Sequence, residues 1–129
     1  MKITRFEDLD CWQQGRELVM LIYRASQGKD FRKDLRLCGQ IQAAAISVMA
    51  NIAEGFVRKS DKEFIQFLFI AISSGAEVQS HLYVALDQGY IDQVTFQSIY
   101  NQADKAGKMI SGLIKYLRTQ KTKPTQQTR

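Results

Sequence analysis

The chain has 129 residues, 45% of them apolar, and a formal net charge of +5. That length suits one domain with a core large enough to fold alone. Two cysteines, Cys11 and Cys38, and one histidine, His81, argue against a disulfide scaffold and against a zinc site of the Cys/His type.

Apolar residues recur at three- and four-residue spacings almost throughout, which predicts helices. The first runs from about Leu9 to Ser26, with Leu9, Trp12, Val19, Ile22 and Tyr23 on one stripe and Gly28 as a stop. The second runs from about Phe31 to Phe56, with Leu37, Ile41, Ala44, Val48 and Ile52 inward, Ala45 and Met49 beside them, and Asp30 or Asp34 as its cap. Ser60 followed by Glu63 reads as a capping box and marks the sharpest boundary in the chain. The third helix is expected from Asp61 to about Gln88, carrying Phe64, Phe67, Leu68, Ala71, Val78, Leu82 and Ala85. Asp92 caps the fourth, which is expected to reach about Leu117 with Phe96, Ile99, Ala103, Met109 or Ile110, Leu113 and Leu117 inward.

Three matched helices of about 25 residues, roughly 38 Å each, joined by short turns predict an all-α, antiparallel up-down four-helix bundle. The bundle domain is placed at residues 1–118 and a basic flexible tail at 119–129, where no apolar stripe continues. From Lys105 to Arg129 there are seven basic residues and no acidic ones, so the rest of the chain is nearly balanced. No apolar run reaches membrane-spanning length and the start has no signal-peptide core. A cytoplasmic protein with reduced thiols and no membrane partner is expected.

Catalytic signals are sparse. The sequence holds no GxGxxG, no GxxxxGK followed by serine or threonine, and no HExxH. Asp61, Glu63 and Asp10 sit where acidic groups offset exposed helix amides. Ser73 and Ser74 stand mid-helix without a histidine nearby in sequence, and with Ala71, Gly75 and Ala76 they read as a close-packing surface, as do Ala43, Ala44 and Ala45. No enzyme activity, cofactor or metal is expected.

Two groups of residues are candidates for binding. Ser47, Asn51 and Glu54 lie one turn apart on one helix face and form a polar line beside the apolar stripe, with Arg58 four residues beyond Glu54. Basic residues gather at Arg32, Lys33 and Arg36, at Arg58, Lys59 and Lys62, and along the fourth helix at Lys105, Lys108, Lys115 and Arg118, continuing into Lys121 and Lys123. Lysines on such faces serve solubility or contact phosphates diffusely and salt-dependently.

These residues carry a resemblance. Gln40-Ile41 and Ile46 to Gly55, then Phe56 to Arg58, Ser60 to Phe64, Phe67-Leu68, Ile70-Ala71, Ser74, Glu77, Leu82 and Gly89-Tyr90-Ile91 resemble the signature of the 23S ribosomal RNA intervening-sequence (S23) proteins of bacteria. Phe6 to Leu9, Trp12-Gln13 and Glu17-Leu18 are similar to the family's opening, so the resemblance spans about residues 6–118. It implies a left-handed up-down bundle, a homo-oligomer, often a pentameric ring, and partners such as RNA or a nucleic-acid-processing protein. It carries no catalytic residue. Gln42, Ala43 and Ala44 stand where the family usually has a basic pair, Met49 where it often has proline, and Ile72-Ser73 where arginine or glycine is common. These replacements lower the positive charge at mid-bundle.

The function expected is a non-catalytic oligomeric assembly or adaptor protein. Lys108, Lys115, Arg118, Lys121, Lys123, Arg58 and Lys59 are its candidate nucleic-acid contacts, and Ser47, Asn51 and Glu54 a structural polar cluster. The alternatives are a protein-only interaction module, with the lysines serving solubility, and a small-ligand binder built on Ser47, Asn51 and Glu54.

Overall fold

A computed structural model describes residues 3–121. Four helices follow a short 3-10 turn at Phe6–Asp8: α1 (Asp10–Ala25), α2 (Leu35–Phe56), α3 (Asp61–Asp87) and α4 (Gln93–Lys121). Each packs on its two neighbours in the cycle α1–α2–α3–α4–α1, which is the up-down four-helix bundle, and no strand forms among the described residues. The α3 helix, 27 residues, is about 40 Å long.

Helix boundaries follow their caps. Asp34 Oδ1 accepts from the Leu37 amide at 3.0 Å and starts α2. Ser60 Oγ accepts from the Glu63 amide at 3.2 Å, and Asp92 Oδ1 from the Thr95 amide at 2.8 Å. Each side chain satisfies a first-turn donor that has no intrahelical partner. The Thr95 amide also holds the Asp92 carboxyl below its ordinary pKa. Gly89, at φ 74°, closes the α3–α4 turn in a conformation that side chains rarely adopt.

Two boundaries differ from expectation. Phe31 lies in a separate 3-10 turn, Phe31–Lys33, ahead of α2, because its ring is drawn into the core and stacks on Tyr90 at 5.3 Å between centroids. The α4 helix runs to Lys121, beyond Leu117, because Ile114, Leu117 and half-buried Gln120 keep its last turns against the bundle. The remaining expected tail, 122–129, lies outside the described residues.

The core is continuous from Leu9 to Leu117. All five positions expected inward on α2 are buried, Leu37, Ile41, Ala44, Val48 and Ile52; of the two beside them Ala45 is buried and Met49 half-buried. On α1 Ile22 is buried as expected, Leu18 is buried in the place expected for Val19, and Tyr23 faces outward. On α4 the stripe takes Ile110 and Ile114, leaving Met109 and Leu113 half-buried.

The tightest helix contact is at Gly55 in the last turn of α2. A Cβ there would lie 2.8 Å from the Phe67 Cβ, 2.9 Å from Phe64 Cδ1 and 3.2 Å from the Phe64 carbonyl. Gly75, in mid-α3, has open space instead. Gly55→Ala should cost about 2 kcal/mol by overpacking and lower the melting temperature by about 8 °C. Gly75→Ala should raise stability by up to about 1 kcal/mol through helix propensity. Thermal melts of the two variants check both signs.

Candidate functional site

The polar line of α2 divides into two groups. Asn51 Nδ2 donates to the Ser47 carbonyl and to Ser47 Oγ, both at 2.9 Å. Ser47 Oγ in turn lies 2.7 Å from Ser74 Oγ on α3. Either hydroxyl can donate in this contact, because the Ser47 oxygen keeps a second lone pair after accepting from Asn51. Ser74 is 7% exposed, so this bond gives a buried hydroxyl its partner across the helix interface. Glu54, one turn on, joins Arg58 instead, at 2.7 Å, and both side chains are about half exposed. An exposed pair of this kind contributes a few tenths of a kcal/mol. The Arg58 guanidinium also sits 4.7 Å from the centre of the Phe67 ring.

Asn51 gives hydrogen bonds to Ser47 and takes no proton from it, so Ser47 is not activated as a nucleophile. His81 meets Glu77 on its own helix at 3.3 Å. Among the described residues no group of three or more His, Cys, Asp or Glu could hold a metal ion. Ser74 was legible in sequence only as part of a small-residue stretch; the pairing needs the α2–α3 register.

The basic residues are sorted by the antiparallel order. The end of α2, the start of α3 and the end of α4 meet at one end of the bundle. Arg58 and Lys59 occupy the α2–α3 turn, and Lys115 and Arg118 lie in the last turns of α4. Lys62 and Arg118 share a groove with Ile65, Gln66 and Phe69, where the Arg118 guanidinium lies 5.4 Å from the Phe69 ring centre. Lys62 of the turn cluster and Arg118 of the α4 stripe, separate in sequence, therefore share one groove. Glu54, Asp61 and Glu63 share this end, so its charge is mixed. Lys108 stands apart at mid-bundle, 3.6 Å from Asp104. Lys121 closes α4, and Lys123 lies outside the described residues.

A cleft of about 330 Å³ opens between α3 and α4 beside Lys108. Gly75, Ala76, Ala103 and Gly107 leave it unfilled, and Leu18 and Val48 form its floor. Its polar rim is internally engaged: Asp104 pairs with Lys108, and Gln79 Nε2 donates to the Tyr100 carbonyl at 3.3 Å. The polar line of Ser47, Asn51 and Glu54 does not border it.

Both thiols are buried and free, and the antiparallel order puts them at opposite ends of the bundle. Burial pushes the Cys11 thiol from 9.0 up to about 11. Burial also raises Cys38, helped by the Asp34 charge, and its Sγ donates to the Phe31 carbonyl at 3.2 Å.

Comparison with known proteins agrees with this architecture. The model of the family described as 23S rRNA-intervening sequence protein matches residues 7–112. The chain belongs to that family. A crystal structure from Bacteroides thetaiotaomicron VPI-5482, described as a protein with unknown function from the S23 ribosomal protein family, is 25% identical and superposes with a TM-score of 0.74. The match covers 81% of this chain and 98% of that one. No curated protein matches. Among the described residues no helix is long and apolar enough to cross a membrane. The S23 bundle here thus pairs Ser47 with Ser74 across the α2–α3 contact and leaves one cleft open between α3 and α4.

Two measurements check the site. Ser47→Ala strands the buried Ser74 hydroxyl and should cost about 1–2 kcal/mol, whereas Ser47→Ala with Ser74→Ala should cost less than the sum, with a coupling of about 1 kcal/mol in a denaturation double-mutant cycle. A neutral buried thiol stabilises the fold below its ordinary pKa of 9.0, and the Cys11 contribution fades as pH rises through about 11. At pH 8 native Cys11 should react with a disulfide reagent about a hundredfold more slowly than a free thiol, with both cysteines reacting promptly once guanidinium unfolds the chain.

Proposed function

We propose that this S23 protein is a non-catalytic, homo-oligomeric assembly module that holds RNA against the basic end of its bundle. The observation that carries this reading is the convergence of Arg58, Lys59 and Lys62 with Lys115 and Arg118 on one end. Lys121 and Lys123 extend the same run in sequence. The family's description, tied to 23S rRNA intervening sequences, supports a nucleic-acid setting.

Self-association is supported by the outer α2–α3 face. Ile46 and Ile70 are 42% and 48% exposed on the two helices that the Ser47–Ser74 bond joins. Ala43, Ala50 and Ser73 keep their surroundings low. Exposed aliphatic side chains among small ones suit a second copy of the chain. In a ring, a pentamer being the assembly implied by the family resemblance, the basic ends of all copies would act together, raising a weak phosphate affinity through multivalency.

Light scattering during gel filtration should give a defined oligomer, and Ile46→Asp with Ile70→Asp should reduce it to monomers. RNA should bind with a Kd of about 10 μM at 50 mM salt and far more weakly at 200 mM. Lys115→Ala with Arg118→Ala should weaken binding and flatten the salt dependence. A stable oligomer that binds no RNA at 50 mM salt would favour the second reading, a protein-only interaction module. Phe69, 45% exposed in the Lys62–Arg118 groove, supports that reading.

A further inference from the structure

The opposite end of the bundle carries a basic cluster with a different character. Lys29, Arg32, Lys33 and Arg36 fall within eight residues in the connection from α1 to α2, and all four are exposed. Among the described residues none of them is in an ion pair. At the other end Arg58 is paired with Glu54 and Arg118 lies over Phe69.

Among the described residues no carboxylate is ion-paired to this cluster. Both oxygens of Asp34 are taken by neutral donors, Oδ1 by the Leu37 amide and Oδ2 by the Tyr90 hydroxyl at 2.9 Å. Accepting from Tyr90 favours the protonated phenol and raises its pKa. Asp30 is the remaining acid of the segment, so four cations meet two carboxylates within it, and the α3–α4 turn that Tyr90 packs against it adds Asp87 and Asp92.

The segment is also held in shape. Phe31 is 1% exposed and stacks on Tyr90, and its carbonyl accepts from Cys38. The Arg32 amide bonds the Gly28 carbonyl at 2.9 Å and the Asp34 amide bonds the Phe31 carbonyl at 3.0 Å. The cations are thus displayed on a fixed backbone rather than on a floppy loop.

Helix stability does not account for their placement. The first turns of α1 and α3 carry acids, Asp10 and Asp61 with Glu63, as the helix dipole favours. The first turns of α2 and α4 carry none and are capped by Asp34 and Asp92, and that of α2 also presents Arg36, against the dipole. Arg36 thus stands where helix stability gives no reason for a cation.

We propose that this α1–α2 connection is a second phosphate-contacting edge, where Lys29, Arg32, Lys33 and Arg36 take an RNA backbone. The proposal rests on the reading that the polyanion is RNA, and adds a locus that the α4 end does not include. An acidic protein would need an apolar centre to the contact, and a lipid surface several apolar anchors. The connection offers one exposed large apolar side chain, Leu35, at 79%. A line of cations without apolar support matches a repeating phosphate chain. The two ends are separated by the length of α2, 22 residues or about 33 Å, several Debye lengths at physiological salt. They act as independent contacts.

The test is fluorescence anisotropy of a labelled 20-mer oligouridylate with the full chain between 50 and 200 mM salt. Arg32→Ala, Lys33→Ala and Arg36→Ala together should lower the slope of log affinity against log salt by about 2, near 0.7 per lost contact, with at least a tenfold loss at 50 mM. Circular dichroism melts verify the fold. Should that variant melt early, Lys29→Gln with Lys33→Gln repeats the measurement with an expected slope change of about 1.4. An unchanged slope, with binding abolished by Lys115→Ala and Arg118→Ala, overturns the second edge while RNA binding stands. Wild type that binds no oligouridylate at 50 mM overturns both. Binding to phosphatidylserine vesicles that the triple variant loses, with its RNA slope unchanged, assigns the edge to membranes and overturns the proposal.

Discussion

The closest approach in the bundle, Gly55 against Phe64 and Phe67, governs much of what surrounds it. The missing side chain lets the end of α2 settle directly on the first turns of α3. With that spacing, Phe56 meets Phe64 edge-on at 6.0 Å and the chain reverses over the few residues before Ser60 caps α3. Phe67 is then held under the Arg58 guanidinium. The same spacing, two turns along, lets two short hydroxyl side chains, Ser47 and Ser74, touch. Packed interiors transmit such a constraint because their side chains have little free volume in which to shift.

The bundle separates stabilising polarity from surface charge. Several of its part-buried contacts are neutral: Asn51 with Ser47, Ser47 with Ser74, Gln42 Nε2 with Ser26 Oγ at 2.9 Å, and Gln102 Nε2 with the Gln14 carbonyl at 3.0 Å. Neutral pairs avoid the desolvation that a buried ion pair would incur. The charges stay outside and gather at the two ends, where helix termini and connections leave room for long side chains. At one end they are partly consumed by Glu54 and by aromatic faces, while in the α1–α2 connection they stand without ion-pair partners among the described residues. The ends therefore differ in electrostatic availability although their compositions look alike.

Much of the helix layout was readable from local patterns. Ser60, Asp92 and Asp34 announce helix starts through chemistry confined to one turn, and the α2 stripe follows 3.6 periodicity without interruption. Failures arose where tertiary contact overrode the local pattern. Phe31 belongs to a 3-10 turn because Tyr90, distant in sequence, offers it a stacking surface. Leu18 enters the core in place of Val19 because the neighbouring helices decide which edge of the α1 stripe is covered. Of the candidate polar line, Ser47 and Asn51 interact as the spacing suggested, but Ser74 could not be assigned as their partner from α2 alone, and Glu54 turned to Arg58.

By itself, the sequence determined the four helices, their antiparallel order, membership in the S23 family and the concentration of positive charge late in the chain. Those follow from periodicity, caps and motif spacing, which are local properties of a polypeptide. Only the tertiary structure decided that Lys62 and Arg118 share one groove, that Ser47 meets Ser74, and which cations keep a partner. Each of these depends on the packing distance and register between helices, set by side-chain volume at contacts such as Gly55, and residues 27 or 56 positions apart have no local pattern that records it.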